Sequence, residues 1–278
     1  NREEHPGVYE APQEREVRGE AILRRHRTNA RTADASPKGV QYDPLRPRMA
    51  RNHCERRRRQ NHSRMKIQLT DAREISYNGG LIITDPPYNI GYKYNGEFKD
   101  RQTAEEYQSI FEPMKGERVV LIHYAESIIQ DIVPVLGNPK RCVSWTYPSN
   151  TGSRQWRMIA WWNCEPDWSK VRIPYKNPND KRVKELMKRT GGRKCPDHWE
   201  VNLVKNVSRE KVKEYTNQIP EEIVRRIILT TPKEGDTIID PFCGTGTTAA
   251  VAQQLGYKYE AYDVNPLAIE LTLRRLRQ

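Results

Sequence analysis

Four consecutive residues, Asp85-Pro86-Pro87-Tyr88, combine an acid, two rigid residues and an aromatic ring directly after the apolar run Leu81–Thr84. The Asp85 carboxylate can accept one N–H bond from the amino group of a flat heterocycle, and the Pro86 carbonyl can accept the other. Tyr88 can stack on the face of the ring. Pro-Pro is also ordinary loop punctuation, so the tetrapeptide by itself leaves a simple strand-to-turn transition equally open.

A glycine-rich turn follows a second β-branched run near the other end of the chain. Residues 237–239 lead into residues 240–248, which read Asp-Pro-Phe-Cys-Gly-Thr-Gly-Thr-Thr. An alanine-rich helical stretch, a helix stop at Gly256 and a strand followed by Asp263 come next. Glycines let the backbone approach a ligand, a helix N-terminus offers free N–H groups, and an acid on the next strand can bind ribose hydroxyls. This order is typical of a nucleoside-cofactor site.

The turn favours one nucleoside cofactor over others. A dinucleotide site usually shows Gly-x-Gly-x-x-Gly/Ala for a pyrophosphate, whereas here Asp240 precedes the turn and would repel a pyrophosphate. An acid at that position suits the ammonium group of a methionine moiety instead. The sequence also contains no Gly-x-x-x-x-Gly-Lys-Ser/Thr phosphate loop, which a triphosphate site would use. The pattern therefore predicts S-adenosylmethionine as the cofactor.

Together, the two motifs resemble those of the amino-group DNA methyltransferases. Asp85 to Tyr88, which run on into Asn89-Ile90-Gly91, resemble the Asp-Pro-Pro-Tyr catalytic motif of that family, and residues 240–248 resemble its cofactor motif. The catalytic motif comes first, which matches the permuted β-type order of many restriction–modification and solitary adenine methylases. The resemblance covers roughly residues 67–276.

Further segments carry the resemblance, and one departs from it. Residues 197–201, Asp-His-Trp-Glu-Val, are similar to the family's Asp-x-Trp-x-Ile/Val strand, and residues 217–221 resemble the segment before its cofactor strand. Where the family often has His-Pro-Thr-x-Lys-Pro, residues 215–220 read Tyr-Thr-Asn-Gln-Ile-Pro and lack the lysine. Cys243 stands where a small residue such as alanine is common, and it fits sterically.

The resemblance implies a reaction and its catalytic residues, Asp85, Pro86, Pro87 and Tyr88. A base flipped out of double-stranded DNA would lie with its amino nitrogen between the Asp85 carboxylate and the Pro86 carbonyl, while Tyr88 stacks on the ring. The product would be N6-methyladenine or N4-methylcytosine. Because an Asp at the first motif position favours adenine in this family and a Ser favours cytosine, we predict a site-specific adenine-N6 DNA methyltransferase, with the cytosine-N4 enzyme as the alternative.

Cofactor contacts follow from position in the matched motifs. The methionine end of S-adenosylmethionine would lie against the glycine turn and its ribose against the acid on the next strand, and the residues are Asp240, Pro241, Phe242, Gly244, Gly246, Thr247 and Asp263. Asp71 resembles the family's acid that meets the adenine amino group of the cofactor. It can equally be the N-cap of a helical turn over residues 72–75.

Both motifs need strands that end at the same edge of a sheet. From Met65 onwards, strand and helix patterns predict an α/β fold with a doubly wound, mostly parallel sheet of the Rossmann-like type. Both motifs would then lie at the carboxyl ends of strands, where open α/β sheets bind ligands. Trp161, Trp162 and His123 are expected to be structural. Predicted strands cover residues 67–69, 81–84, 119–123, 141–145, 158–162, 199–204, 237–239 and 259–262, and predicted helices cover residues 104–113, 125–136, 220–230, 247–255 and 266–275.

Two polar stretches are predicted to contact DNA within a small target-recognition region at about residues 147–197. Residues 147–154 form a polar loop that ends in an arginine, and residues 170–194 are basic with few core residues. Either could contact phosphates or base edges, and a solvated surface loop is the alternative for the second. The loop of residues 89–100 is predicted to close over the base. The individual residues predicted to contact DNA are Asn89, Tyr92, Arg154 and Lys176.

Composition sets bounds on these predictions. The 278 residues carry a net charge of +12, which suits a polyanion such as DNA. The five cysteines include no Cys-x-x-Cys pair, which argues against a zinc site or a disulfide framework and fits a reducing cytosol. No apolar run approaches the ~18 residues of a membrane span. We expect a cytoplasmic, nucleoid-associated protein without metal, and the pattern leaves open a partner restriction nuclease and a monomer or dimer.

Residues 1–64 differ in composition from the rest of the chain. They contain 15 arginines but one lysine, and no Phe or Trp. Little apolar periodicity accompanies the run Arg56-Arg57-Arg58-Arg59, so a poorly ordered extension is predicted. It could be a basic arm for phosphates, a localisation signal, or an extension without function upstream of a start at Met65. We favour the last because the resemblance begins just after Met65, with the catalytic domain covering residues 65–278.

Proteins of two other classes share parts of this pattern. Glutamine-directed protein methyltransferases and some RNA methylases use a similar aromatic tetrapeptide, usually with Asn first and after the cofactor motif, so the order and Asp85 argue against them. A non-catalytic methylase homologue that only binds nucleic acid would be expected to lose Asp85, Tyr88 or the glycine turn, and all three are present.

Overall fold

The computed structural model describes residues 65–92, 100–148 and 154–277 of the chain. The arginine-rich extension predicted for residues 1–64 lies outside the described residues. So do residues 93–99 and 149–153, which include most of the loop expected to close over the base and part of the first predicted DNA-contact stretch. Predictions for these segments stay predictions.

The described residues form an eight-stranded sheet in the order β1-β10-β9-β2-β3-β5-β4-β8. Neighbours from β1 to β3 are parallel, β5 is antiparallel to both β3 and β4, and β8 is parallel to β4. A separate two-stranded sheet pairs β6 with β7. The strand bounds are β1 (Met65–Leu69), β2 (Leu81–Thr84), β3 (Val119–His123), β4 (Arg141–Thr146), β5 (Trp156–Trp162), β6 (Arg172–Ile173), β7 (Arg193–Lys194), β8 (His198–Glu200), β9 (Thr237–Asp240) and β10 (Lys258–Asp263).

Seven α-helical segments accompany these strands in the described part of the chain. They are α1 (Ala104–Gln108), α2 (Ala125–Ser127), α3 (Val133–Leu136), α4 (Lys181–Thr190), α5 (Glu221–Thr230), α6 (Thr247–Gln254) and α7 (Pro266–Leu276). Short 3-10 turns cover Ala72–Glu74, Glu112–Met114 and Trp168–Lys170. None of the helices described is long and apolar enough to cross a membrane.

Helices cover both faces of the sheet because its central strands are buried on both sides. Every residue of β2 is buried, and successive side chains point to opposite faces. Leu81 and Ile83 pack in a core that includes Ile223 and Ile227 of α5. Ile82 packs on the other face, in a core that includes Phe111. This arrangement confirms the predicted doubly wound, mostly parallel α/β fold.

The predicted helix over residues 125–136 is interrupted. The turn Ile128–Ile132 between α2 and α3 is π-helical, and the backbone N–H of Val133 donates to the carbonyl of Ile128. Pro134 follows at the start of α3. Proline has no backbone N–H and its ring crowds the carbonyl four residues earlier, so a wider turn accommodates it better than a regular α-helical one.

The prediction of a strand over residues 199–204 was too long. Only His198–Glu200 form β8, which pairs with the last residues of β4. The backbone N–H of Val201 makes one further bond to the Thr146 carbonyl. Because β8 is an edge strand and β4 ends at Thr146, no strand in the described part of the chain remains for residues 201–204 to pair with.

The basic stretch of residues 170–194, for which DNA contact and a solvated surface loop were both open, contains a helix. Lys181–Thr190 form helix α4, whose N-terminal N–H groups are capped by the Asp180 side chain. The helix ends at Gly191, which adopts the left-handed conformation. No side chain of α4 is buried, and its apolar residues Val183, Leu186 and Met187 form a short, partly exposed stripe on one face. The capping residues mark where the helix begins and ends.

Candidate active site

Strands β2 and β9 lie side by side and parallel, with Leu81 opposite Ile238 and Ile82 opposite Ile239. The turns that follow them therefore emerge next to each other at the carboxyl edge of the sheet. A buried hydrogen bond joins the two strand ends, since the Thr84 hydroxyl donates to Asp240 Oδ1 at 2.8 Å. The two motifs, some 150 residues apart in the sequence, meet at this point.

One cleft opens between the two turns. It is lined from one side by the Asp-Pro-Pro-Tyr turn and from the other by the glycine turn and the end of β10, with a third wall from the segment before α5. The lining residues are Asp85, Pro86, Pro87, Tyr88, Arg157, Tyr215, Asn217, Gln218, Ile219, Asp240, Phe242, Cys243, Gly244, Thr245, Thr247, Thr248, Asp263, Val264 and Asn265.

The Asp85 carboxylate is held from both of its oxygens. The Tyr88 hydroxyl donates a short hydrogen bond to Oδ1, and Nη1 of Arg157 lies 3.7 Å from Oδ2. Burial raises the pKa of Asp85 to about 6, while the Arg157 charge and the Tyr88 hydrogen bond act in the opposite direction. At neutral pH the carboxylate is therefore mostly ionised, and it can accept N–H bonds from a ligand.

Aromatic side chains fix the position of the Tyr88 ring. Its centre lies 4.4 Å from the His123 ring and 4.6 Å from the Tyr124 ring. The Tyr107 hydroxyl donates to the Pro87 carbonyl at 2.6 Å and lies 2.8 Å from His123 Nε2. Burial lowers the pKa of His123 to about 4, so this ring is neutral at pH 7. The histidine therefore braces the catalytic turn from behind, in line with the structural role expected for it.

The backbone after Tyr88 is held by a buried acid. Asp100 accepts hydrogen bonds from the backbone N–H groups of Asn89, Ile90 and Tyr92, at 2.8, 3.1 and 2.8 Å. Asn89 has a positive φ of 55°, and its side chain exchanges two hydrogen bonds with the backbone of Gln102. The Asn89 amide thus braces the loop, and neither it nor Tyr92 is among the residues that line the cleft.

The glycine turn packs closely against the side chain of Thr272. Gly244 and Gly246 have φ values of 49° and 72°, and a Cβ atom on Gly246 would lie 2.7 Å from the Thr272 side chain. The backbone N–H of Gly244 donates to Asp263 Oδ2 at 2.9 Å. Cys243 is buried, with Sγ 3.6 Å from the Thr272 hydroxyl, and burial raises the pKa of its thiol. Only glycine suits this backbone conformation at such a close approach.

Two buried acids face the glycine turn. Burial raises the pKa of Asp240 to about 6, against hydrogen bonds from the Thr84 hydroxyl and the Phe242 backbone N–H. Burial also raises the pKa of Asp263, against backbone N–H groups that include those of Asn265 and Gly244. Acids that are desolvated in this way favour a ligand with positive charge and disfavour a pyrophosphate. The residues present therefore fit a sulfonium nucleoside that carries an amino acid moiety.

Not every predicted cofactor residue lines the cleft. Pro241 is buried within the turn, and Gly246 is the N-cap of α6. The Asp71 side chain caps the turn Ala72–Glu74 through the Arg73 backbone N–H at 2.9 Å and forms an ion pair with Arg73 at 2.6 Å. The alternative role of Asp71 as an N-cap is therefore confirmed. It also follows β1 next to β10, where Thr70 donates its N–H to the Asp263 carbonyl, and its role toward a cofactor stays a prediction.

The two basic residues predicted to contact DNA differ in location. The Arg154 guanidinium lies 4.4 Å from the centre of the Tyr124 ring, which also packs against Tyr88. Lys176 is exposed and lies 3.4 Å from Glu200 Oε2. Arg154 is therefore close to the catalytic turn, whereas Lys176 is absent from the residues that line the cleft.

Sequence reasoning missed two parts of the cleft. Residues 215–219 were compared with the family's segment before the cofactor strand but were not predicted to line the cleft. Tyr215 lies about 3.5 Å from the position of a Cβ atom on Gly244 and lines the cleft. Arg157 was not singled out. It lies on β5 opposite Trp145 of β4, and no local motif marks a single arginine on an antiparallel strand.

Comparisons with known proteins find similar sequences among DNA methylases. Residues 138–274 match the family model described as a DNA methylase, of the N6/N4 type. Type II methyltransferase M2.DpnII of Streptococcus pneumoniae is 37% identical over 110 residues, covering 37% of this chain and 41% of that protein. Type II methyltransferase M.HpaI of Haemophilus parainfluenzae is 26% identical over 222 residues, covering 70% and 67%. These matches bear out the resemblance to the amino-group DNA methylases that the motifs predict.

A solved structure shows the same fold. The PvuII DNA methyltransferase, named as cytosine-N4-specific, aligns with a TM-score of 0.55 at 13% identity and covers 77% of this chain and 87% of its own. The first curated relatives are matched over about two fifths of their length. The family and the fold predicted from the motifs are thus confirmed.

Proposed function

We propose that this chain transfers a methyl group from S-adenosylmethionine to the exocyclic amino group of a base in DNA, with adenine N6 as the target. The observation that carries the proposal is the shared cleft, in which Asp85 and Tyr88 face the Gly244 turn and the Thr84–Asp240 hydrogen bond ties the two strands together. Family membership supports the reaction class, and the Asp at the first motif position supports adenine over cytosine.

In the proposed reaction the catalytic turn holds the amino group of a flipped base. The Asp85 carboxylate accepts one N–H bond and the Pro86 carbonyl accepts the other, while Tyr88 stacks on the ring. Because both N–H bonds are fixed, the lone pair on nitrogen turns out of conjugation with the ring. Asp85 then stabilises the positive charge that develops on nitrogen. The rigid Pro86-Pro87 backbone keeps this geometry the same before and during transfer.

The cofactor side of the cleft is proposed to bind S-adenosylmethionine, which when bound supplies an activated methyl group. Asp240 would attract the positively charged methionine end, next to Pro241 and Phe242. Gly244 and Gly246 let the backbone approach the ligand, and Thr247 starts α6. Asp263 would accept hydrogen bonds from the ribose hydroxyls, and Asp71 would meet the adenine amino group. These residues are Asp71, Asp240, Pro241, Phe242, Gly244, Gly246, Thr247 and Asp263.

Double-stranded DNA is the proposed partner. Helix α4 has no buried side chain and contains five basic residues, Lys181, Arg182, Lys184, Lys188 and Arg189, so it offers charge for phosphates. We assign it to DNA contact, together with Arg154 and Lys176 of the target-recognition region of residues 147–197 and with Asn89 and Tyr92 of the loop after the catalytic turn. The Type II names of the relatives support a further proposal, that the chain works beside a restriction nuclease.

The test incubates the purified protein and labelled S-adenosylmethionine with unmethylated double-stranded DNA, and identifies the modified nucleoside by mass spectrometry. We expect label in N6-methyladenine, and no further incorporation into DNA that the protein has already methylated. N4-methylcytosine as the product would overturn the base assignment. Label found only in RNA or protein would overturn the substrate class, and binding of DNA without any transfer would favour the non-catalytic homologue.

A further inference from the structure

Arg157 lies beside Asp85 on β5, a strand that carries neither motif. Its Nη1 is 3.7 Å from Asp85 Oδ2, and only 11% and 15% of the two side chains are exposed. Among residues 65–92, 100–148 and 154–277, Arg157 is the only cation within ion-pair distance of Asp85. It also lines the cleft, so a ligand that reaches Asp85 would meet this guanidinium as well.

An aromatic frame holds the guanidinium in place. Its carbon lies 4.9 Å from the centre of the Tyr88 ring and 5.1 Å from that of Trp145. The rings of Tyr124 and Tyr147 lie at 6.0 and 5.8 Å. The negative faces of these rings favour a cation, and the packing leaves an arginine side chain little room for another rotamer. The position of the positive charge next to Asp85 is therefore built into the fold.

We propose that Arg157 is a positioning residue whose guanidinium holds the Asp85 carboxylate as an anion aimed into the cleft. The inference rests on the proposed methyl transfer, because it assigns how the group that accepts the amino N–H is kept ready. Together with the Tyr88 hydroxyl on Oδ1, Arg157 on Oδ2 fixes the carboxylate from both ends. The remaining lone pairs then point to where the amino group of a base would bind.

Burial acts against ionisation of this acid. Desolvation raises the pKa of Asp85, and the Arg157 charge and the Tyr88 hydrogen bond oppose it, with a result of about 6. A protonated Asp85 would donate through one oxygen and lose much of its capacity as an acceptor. His123 stays neutral at pH 7 because burial lowers its pKa to about 4. The other titratable groups that face the cleft or the guanidinium are Tyr124, Tyr147, Tyr215, Asp240, Cys243 and Asp263.

The first test is the pH dependence of methyl transfer. In Arg157→Gln, we expect the acidic limb of the kcat profile to move to higher pH by about 1 to 3 pH units, because an opposite charge at this distance lowers a carboxyl pKa by that much. At pH 7 kcat should fall by about twofold if the pKa of Asp85 rises by one unit and by about ninetyfold if it rises by three, and it should recover as the pH rises above the new pKa. Arg157→Lys keeps a charge and should restore the limb to within about one unit of wild type.

Matched measurements separate this role from a general loss of structure. Arg141→Gln removes an exposed arginine on the neighbouring strand, whose partner is Glu165 at 3.6 Å, and it should leave the profile unchanged. S-adenosylmethionine affinity should stay within about threefold in Arg157→Gln, because Arg157 contacts the catalytic turn. A kcat that falls equally at every pH, or a limb that does not move, would refute the proposal.

A second test needs no activity. The unfolding equilibrium constant at pH 8 is measured for wild type, Arg157→Gln, Asp85→Asn and the double variant. Removing Arg157 should raise that constant at least about tenfold more when Asp85 is present than when Asn replaces it, because only then is a buried charge left unpaired. Equal effects in both backgrounds would sink the proposal. Should Arg157→Gln fail to fold, Arg157→Lys replaces it in the cycle with a smaller effect of the same sign.

The two tests distinguish failure of this inference from failure of the proposed function. If wild-type protein methylates no DNA, the unfolding cycle still measures whether Arg157 stabilises an ionised Asp85. If wild-type protein is active but the cycle shows no coupling, the function stands and the role assigned to Arg157 is wrong.

Discussion

The Thr84 hydroxyl donates a buried hydrogen bond of 2.8 Å to Asp240 Oδ1. It connects the last residue of the strand before the catalytic turn to the last residue of the strand before the glycine turn. The two halves of the proposed active site are therefore joined at the ends of their strands. The turns that follow have different proposed roles, since one holds the base and the other binds the cofactor.

That separation gives a first prediction. Asp85→Ala should reduce methyl transfer by about a hundredfold or more, since it removes a group that stabilises charge only in the transition state. Its affinity for S-adenosylmethionine, measured by calorimetry, should stay within about threefold of wild type. Asp240→Ala should instead lose most of that affinity. Equal losses of cofactor affinity in the two variants would show that the division of roles is wrong.

The hydrogen bond itself can be removed. Thr84→Val keeps the shape of the side chain but leaves the buried Asp240 carboxylate with one donor fewer, which should cost about 1 to 3 kcal/mol in the free energy of unfolding. Thr84→Ser keeps the hydroxyl and should cost less than half of that. Chemical denaturation of both variants at pH 8 measures the difference. Similar losses in the two would assign the effect to packing of the methyl group.

A third prediction concerns stability against pH. Because the pKa of Asp240 is raised to about 6 in the folded state, this group stabilises the fold below pH 4, and that stabilisation is lost as the pH rises through 6. Its size is about 3 kcal/mol. The uncharged side chain in Asp240→Asn gives no such dependence on pH. The free energy of unfolding of the variant minus that of wild type should therefore rise by up to about 3 kcal/mol between pH 4 and 7.

The comparison in stability has an internal check. His123, whose pKa is lowered to about 4, contributes stability that increases with pH over the same range, and it does so in both proteins. Its contribution therefore cancels in the difference between them. A difference that stays constant from pH 4 to 7 would mean that Asp240 titrates alike in the folded and unfolded states.

The fourth prediction tests the fit of the glycine turn. Gly246→Ala places a Cβ atom 2.7 Å from Thr272 in a left-handed backbone conformation with φ 72°. Gly191→Ala meets nothing within 4 Å at a similar φ of 68°, so it isolates the backbone strain of about 1 kcal/mol. We expect Gly246→Ala to lower the free energy of unfolding by at least twice as much and to weaken S-adenosylmethionine binding. Equal costs would show that Thr272 moves aside freely.

Much of this fold could be predicted because the residue pattern of each element agrees with its place in the sheet. The run Leu81–Thr84 is apolar and mostly β-branched, as a central parallel strand requires. The motif residues that follow it predicted that the cleft lies at the carboxyl end of this strand. The π-helical turn Ile128–Ile132 was missed because an apolar helical pattern continues through it, and Pro134 alone does not reveal how the backbone adapts. Helix α4 was missed because its apolar stripe is limited to Val183, Leu186 and Met187 among five basic residues.

The residues of the candidate site also divide into those that the sequence marks and those that it does not. Asp85, Tyr88, Asp240 and Asp263 could be chosen because each ends or follows a strand in a recognisable order. Arg157 could not, since its role depends on β5 running antiparallel beside β3 and bringing a buried cation next to Asp85. Pairings between distant strands are a tertiary property, and a single arginine carries no local trace of them.

The thiol of Cys243 lies in the glycine turn, where it lines the cleft but is almost shielded from solvent and has a pKa raised by burial, so alkylating reagents should react with it slowly unless the turn opens. The exposed Cys142 offers an internal standard for the reagent itself. The ratio of the two modification rates therefore reports how often the glycine turn opens in the native protein, without any introduced probe.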